Sequence, residues 1–237
     1  MKLILTKEPK GVTIIEGFPG FGLIGTIATE FLMEHLETEK IGTVDMDEIP
    51  AMVAVHANKI IEPISLHYNK KHNLVLVHAI NVGKGLGWKL AEVVGELANR
   101  LKAKEIISLE GVGSPNPTQS KVFFYTTIDG GRAERLKNVA NPLQEGIIVG
   151  VTGALLSKGA NVPIVALFAE AKSNLPDSKA AAEIIKVLDV YTGLQVDYKP
   201  LLKQAEQFEA KLKSIIEKGQ KVGGDVEKKN HRLSYVG

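Results

Sequence analysis

A chain of 237 residues is long enough for one large domain, and 44% apolar with 24% charged residues excludes a wholly disordered polypeptide. Lysine and arginine number 29 against 27 aspartates and glutamates, so a net charge of +2 offers no basic surplus for an obligate nucleic-acid binder. Cysteine is absent, which removes disulfides, thiolate metal sites and thiol catalysis and accords with a reducing, cytoplasmic setting. Near the start only Leu3, Ile4 and Leu5 form an apolar run, too short for a signal sequence. The longest uncharged stretch, 146–157, falls short of the roughly 18 residues of a spanning helix, so no membrane partner is expected.

In chain order, Val- and Ile-rich runs predict buried strands at 12–15, 41–44, 74–80, 106–109, 147–151 and 164–168. Helices are predicted between them at 23–36, 87–101, 132–139 and 152–159. The second of these places Leu90, Val93, Val94, Leu97 and Leu101 along one face. Residues 60–66 and 74–80 flank a polar turn and read as an antiparallel hairpin inserted at a sheet edge. A second hairpin-like insert spans 114–127, where Pro115 and Pro117 break any helix. After a loop at 169–176, Asp177 or Ser178 caps a helix running to Tyr191, which Gly193 ends. Pro200 opens a last helix to about Lys218. Leu201, Ala205, Phe208, Leu212 and Ile215 draw a narrow apolar seam along it, suited to docking on the domain or to oligomerisation. From Gly219 onward, glycines and charges without periodicity indicate a mobile tail. The expectation is an α/β domain over 1–218, with a mainly parallel sheet flanked by helices, and a flexible tail over 219–237.

The most informative stretch runs from Val12 to Gly25. Gly20-x-Gly22-x-x-Gly25 satisfies the dinucleotide fingerprint, and Asp45 stands 20 residues beyond Gly25, where a ribose partner would be. Spacing opposes that reading. Glu16, Gly17, Phe18 and Pro19 separate the strand from the first glycine, and Pro19 lacks a backbone donor. Neither nicotinamide, flavin nor ATP is expected to bind, and no cofactor is expected. The glycines otherwise permit a tight turn and close helix–sheet packing.

The segment Glu16-Gly-Phe-Pro-Gly-Phe-Gly-Leu-Ile-Gly25 resembles the signature of the archaeal homologues of the proteasome assembly chaperones. Residues 176–185, then 193–197 and a long terminal helix, resemble the second block of that family, so the likeness spans about 10 to 218. The resemblance implies a fold similar to purine nucleoside phosphorylases, a homo-oligomer, and ATP-independent binding to the proteasome core particle, as a chaperone or activator rather than an enzyme. Related activators carry a terminal hydrophobic–Tyr–any-residue motif that docks between α subunits of the proteasome ring. Here Leu233, Tyr235, Val236 and Gly237 are the corresponding residues, with the tyrosine one position early, a slip of up to roughly 3.6 Å.

A different class of function stays open. Glu16, Glu110 and Glu170 each stand at or just beyond a strand end, the usual border of a ligand crevice in a parallel sheet. With Gly20 and Gly22 they could form a small-molecule pocket, as in an α/β enzyme or a nucleotide- or nucleoside-binding protein. Equally, the carboxylates could cap helices or meet lysines. No nucleophile with its base is readable. The six histidines lack metal-ligand spacing and read as solvated surface residues, and Trp88 reads as a core or oligomer-contact residue.

Overall fold

Alternation of apolar side chains between two faces builds the sheet, and the short helices between strands cover both faces. The computed structural model describes residues 1–49, 51–56, 59–113, 121–171 and 173–203. Its strands are β1 (Lys2–Leu5), β2 (Thr13–Gly17), β3 (Thr38–Asp45), β4 (Ala54–His56), β5 (Lys59–Ile61), β6 (Ile64–Asn69), β7 (Leu74–Ala79), β8 (Glu105–Gly113), β9 (Val122–Thr126), β10 (Asn141–Pro142) and β11 (Ile164–Ala171). The helices are α1 (Ile24–His35), α2 (Gly87–Leu101), α3 (Gly131–Lys137), α4 (Gly150–Lys158), α5 (Ser178–Thr192) and α6 (Lys199–Lys203). A single 3-10 turn, Phe21–Leu23, leads into α1.

Nine strands form one sheet in the order β1-β3-β6-β7-β2-β8-β11-β9-β10, while β4 and β5 pair separately. The central four, β7, β2, β8 and β11, are parallel. On one flank β1, β3, β6 and β7 pair antiparallel, and on the other β9 runs antiparallel to β11. The sheet is therefore mixed, parallel through its centre and again in the short edge pair of β9 and β10. Along the central strands Ile14, Val75 and Ile106 face a cluster under α2 and α4. Their neighbours Ile15, Leu76 and Ile107 face a cluster under α1 and α5. That period of two, with helices on both faces, is the signature of a doubly covered sheet.

Several expectations are corrected. Residues 147–151 form no strand: 147–149 are loop, Ile147 is 93% exposed, and α4 has begun by Gly150. The hairpin of β6 and β7 exists, but β6 lies inside the sheet between β3 and β7, because the run from Lys2 to Leu5, read only as too short for a leader, supplies the edge as β1. The strand expected near the end of the 114–127 insert is β9, which pairs with β11 and not with the strand before it. The loop expected from 169 begins later, since β11 extends to Ala171.

The helix after it starts as expected, with the Asp177 carboxylate accepting from the Ala180 N–H at 3.0 Å, and Gly193 ends it at φ 73°. Leu201, on α6, is buried. The other seam positions, Ala205, Phe208, Leu212 and Ile215, lie outside the described residues, as do Leu233, Tyr235, Val236 and Gly237. Among the described residues no helix is long and apolar enough to cross a membrane.

Candidate functional site

The parallel centre of the sheet places polar side chains where its strands run out. Register sets Glu16 of β2 beside Ser108 of β8, and both continue the face of Ile14 and Ile106, which α4 covers. Two residues further along β8, Glu110 stands opposite Phe168 of β11. The first turn of α4 brings Thr152 onto the same spot. The result is one chain of contacts. Ser108 Oγ hydrogen-bonds Glu16 Oε1, lies 2.5 Å from Thr152 Oγ1, and Thr152 Oγ1 lies 2.7 Å from Glu110 Oε1. Glu16, Ser108 and Thr152 are fully buried, and Glu16 Oε2 makes no hydrogen bond of good geometry.

Counting hydrogens fixes the charge of this chain. With both carboxyls ionised, Ser108 donates to Glu16 and Thr152 donates to Glu110, and nothing is left to join the two hydroxyls at 2.5 Å. One further proton completes the sequence whichever carboxyl carries it: Glu16 donates to Ser108, Ser108 to Thr152 and Thr152 to the Glu110 carboxylate, or each donation runs the other way from Glu110 to Glu16. The electrostatics agree. Burial, then repulsion from Glu110, pushes the Glu16 carboxyl up to about 8, against hydrogen bonds from Ser108, the Phe18 N–H and Thr152. Burial pushes Glu110 up to about 7, with the Thr152 hydroxyl opposing. The pair thus shares one proton and one negative charge near neutrality.

The glycines of the loop serve this arrangement by what they omit. A Cβ on Gly20 would stand 2.8 Å from Glu110 Oε2, so only glycine leaves that carboxyl its seat. A Cβ on Gly25 would lie 2.3 Å from the Leu109 carbonyl oxygen, which lets α1 pack directly on β8. Gly22 adopts φ 65°, and Ala171 closes over it.

Beyond Glu110 opens a cavity of about 710 Å³. Phe21, Phe123, Phe168, Leu143 and Ile148 line it, with Glu110 at its polar end.

Of the three carboxylates expected at strand ends, the structure therefore joins Glu16 and Glu110, although β8 runs on to Gly113 and Glu110 stands within it. Glu170 stands apart, its Oε2 accepting from the Lys121 N–H at 3.4 Å. Among the described residues Glu16 and Glu110 neither cap a helix nor meet a lysine. Ser108 went unread in the sequence, although a serine interrupting the run Ile106-Ile107-Ser108-Leu109 is a visible signal. Thr152 was legible only as a polar residue beside a glycine, because 147–151 read as its strand.

At the other end of β8, Glu105 is buried and accepts from Arg132 and, at 2.8 Å, from Tyr191 Oη, an arrangement that ties α3 and α5 to the sheet. The histidines are not all solvated. His78 is buried, with Nδ1 2.9 Å from Thr29 Oγ1, and burial lowers His67 to about 4. Trp88 is no core residue: it is 53% exposed, with Lys158 Nζ 5.5 Å from its ring centre. Among the described residues no group of three or more His, Asp or Glu side chains could hold a metal ion.

Comparison with known proteins accounts for this sheet and loop together. The model of the PAC2 family matches residues 14–216. The chain belongs to the PAC2 family. In sequence it is 28% identical over 206 residues to an uncharacterised protein of Methanocaldococcus jannaschii, covering 86% of this chain and 85% of that one. In structure it is similar to PbaA of Pyrococcus furiosus, an archaeal homolog of proteasome-assembly chaperone, with a TM-score of 0.82 and 29% identity over 93% of this chain and 98% of that one. PbaB of the same organism, an archaeal proteasome activator, shares the fold with a TM-score of 0.73 at 21% identity, over 90% of this chain and 98% of PbaB. The PAC2 fold is thus an α/β sandwich around a large mixed sheet. The glycine loop and both carboxyls of the buried chain fall inside the matched range.

Proposed function

We propose that this chain is a proteasome-assembly chaperone or activator that works without ATP, as a homo-oligomer in the cytoplasm, and docks on the α ring of the proteasome core particle. The observation that supports this most is the likeness to PbaA, which runs through nearly the whole of both chains. In this reading Leu233, Tyr235, Val236 and Gly237 make the contact and the folded domain presents them. Several such tails on one oligomer would add their weak contacts through multivalency. Independence from ATP is supported by the glycine loop, where the Glu110 carboxyl stands against Gly20 in place of a phosphate.

The test is co-sedimentation of the full chain with purified archaeal core particle, with and without ATP. Binding that is indifferent to ATP and lost on deleting residues 233 to 237, at unchanged oligomer mass, is the expected result. Binding that survives the deletion moves the contact to the folded surface, and no binding by the full chain ends the proteasome reading. A second reading, a small-molecule-binding or enzymatic α/β protein, is favoured by one observation alone: the buried carboxyl chain opens on a cavity.

A further inference from the structure

The cavity beside Glu110 has properties that docking on a proteasome does not use. At about 710 Å³ it lies within the roughly 300–1,000 Å³ typical of small-molecule sites. Three phenylalanines, Phe21, Phe123 and Phe168, contribute to its wall. Its charged lining residues are both acidic, Glu110 and Glu145, and no lysine, arginine or histidine is among the described residues that line it. A carboxylate or phosphate ligand would meet two acids and no base.

A cation meets the opposite. The hydrogen count leaves one negative charge on the buried pair, and Glu110 is the member that reaches the cavity, so a cation there would hold that charge on Glu110. Its Oε1 is taken by Thr152, and Gly20 leaves open the space that Oε2 occupies. A charge held in so apolar a place attracts a counter-ion more strongly than one in water. Aromatic faces favour the same sign, since an ammonium over a ring is drawn to its negative face. Among the described residues no group of three or more acidic or histidine side chains could hold a metal ion, and the apolar wall calls for a hydrocarbon body on the cation. We infer that this cavity binds a small organic amine as its ammonium ion, with the charged nitrogen on Glu110 and the hydrocarbon part among the phenylalanines.

Three probes of one shape and different charge test this on the full chain by calorimetric titration: 2-phenylethylamine, 2-phenylethanol and 3-phenylpropionate. Saturable binding is expected for the amine, about tenfold weaker binding for the alcohol, and none for the acid, one charge-assisted contact separating the first two. Glu110→Gln keeps an oxygen to accept from Thr152 and removes the charge, and should weaken the amine by about tenfold while leaving the alcohol unchanged. Ile148→Trp fills the cavity from its apolar side without touching the carboxyl chain, and should abolish both, which keeps the test decisive if the first variant misfolds. Three results overturn the inference: no saturable binding by the amine, binding of the acid equal to that of the amine, or unaltered amine affinity in both variants.

Discussion

Glu16 illustrates how much a single proton matters in a closed core. Its carboxyl is wholly buried and shares one hydrogen-bonded chain with a second acid, so ionising both would strand a charge with too few donors. A carboxyl whose folded value is raised stabilises most below its unfolded value of 4.5, and that stability is lost as pH rises through about 8. One retained proton corresponds to about 1.4 kcal/mol per pH unit inside that window. His67 works in the other direction. Its lowered value means that stability is lost as pH falls from 6.5 towards about 4. Glu110, raised to about 7, adds a loss of the same sign up to that pH while His67 opposes both at mildly acid pH, so the loss attributable to Glu16 alone emerges between about pH 7 and 8. Urea midpoints across that interval should fall for the natural protein and stay level for Glu16→Gln, which keeps the shape and removes the titration. Equal slopes in both would place the proton elsewhere.

At the scale of elements, the contrast between two glycines separates packing from propensity. Gly25, in the first turn of α1, has backbone atoms of other segments where a side chain would go, whereas Gly95 of α2 has nothing within 4 Å of that position. Gly25→Ala should cost about 1–3 kcal/mol or more, since a carbonyl cannot move aside as a side chain can. Gly95→Ala should add about 0.4–1 kcal/mol by restricting the unfolded chain. Thermal melts of the two variants check both signs. The same elements show what was legible. α2 and α5 were readable to within a residue or so because their apolar period and their ends, Asp177 and Gly193, act locally. The stretch 147–149 was misread because Ile147, Ile148 and Val149 have strand composition, and composition cannot report that they wall a cavity instead of filling a sheet. Strand ends beside glycine betrayed Glu16 and Glu110. Their linkage through Ser108 and Thr152 depends on register and on the seat of α4, which are long-range facts.

For the whole molecule, the sheet is a platform whose helices cover both faces, and α6 packs against α5 and ends at Lys203, the last described residue. Leu201, the first member of the apolar seam, is already buried against this domain. If the seam continues through Phe208 and Leu212 between subunits, Phe208→Ala with Leu212→Ala should lower the mass seen by light scattering. Loss of buried side-chain volume would cost a few kcal/mol per site. An unchanged mass with a lowered melting temperature would place the seam within one subunit, and no change in either would show that it is not buried.

The position of β2 in the sheet has a consequence for synthesis. Thr13 pairs with Leu74 on one side and Glu105 on the other, so its partners lie 61 and 92 residues later in the chain (74 − 13 and 105 − 13). Translation at about 5–20 residues per second leaves the strand waiting roughly 5–20 s for its second neighbour. Through that interval an apolar segment, Val12 to Ile15, has left the ribosome without the strands that will bury it. A nascent chain of this topology is exposed to aggregation early and relieved of it late, so a protein proposed to help others assemble passes through a stage at which it needs shelter of its own.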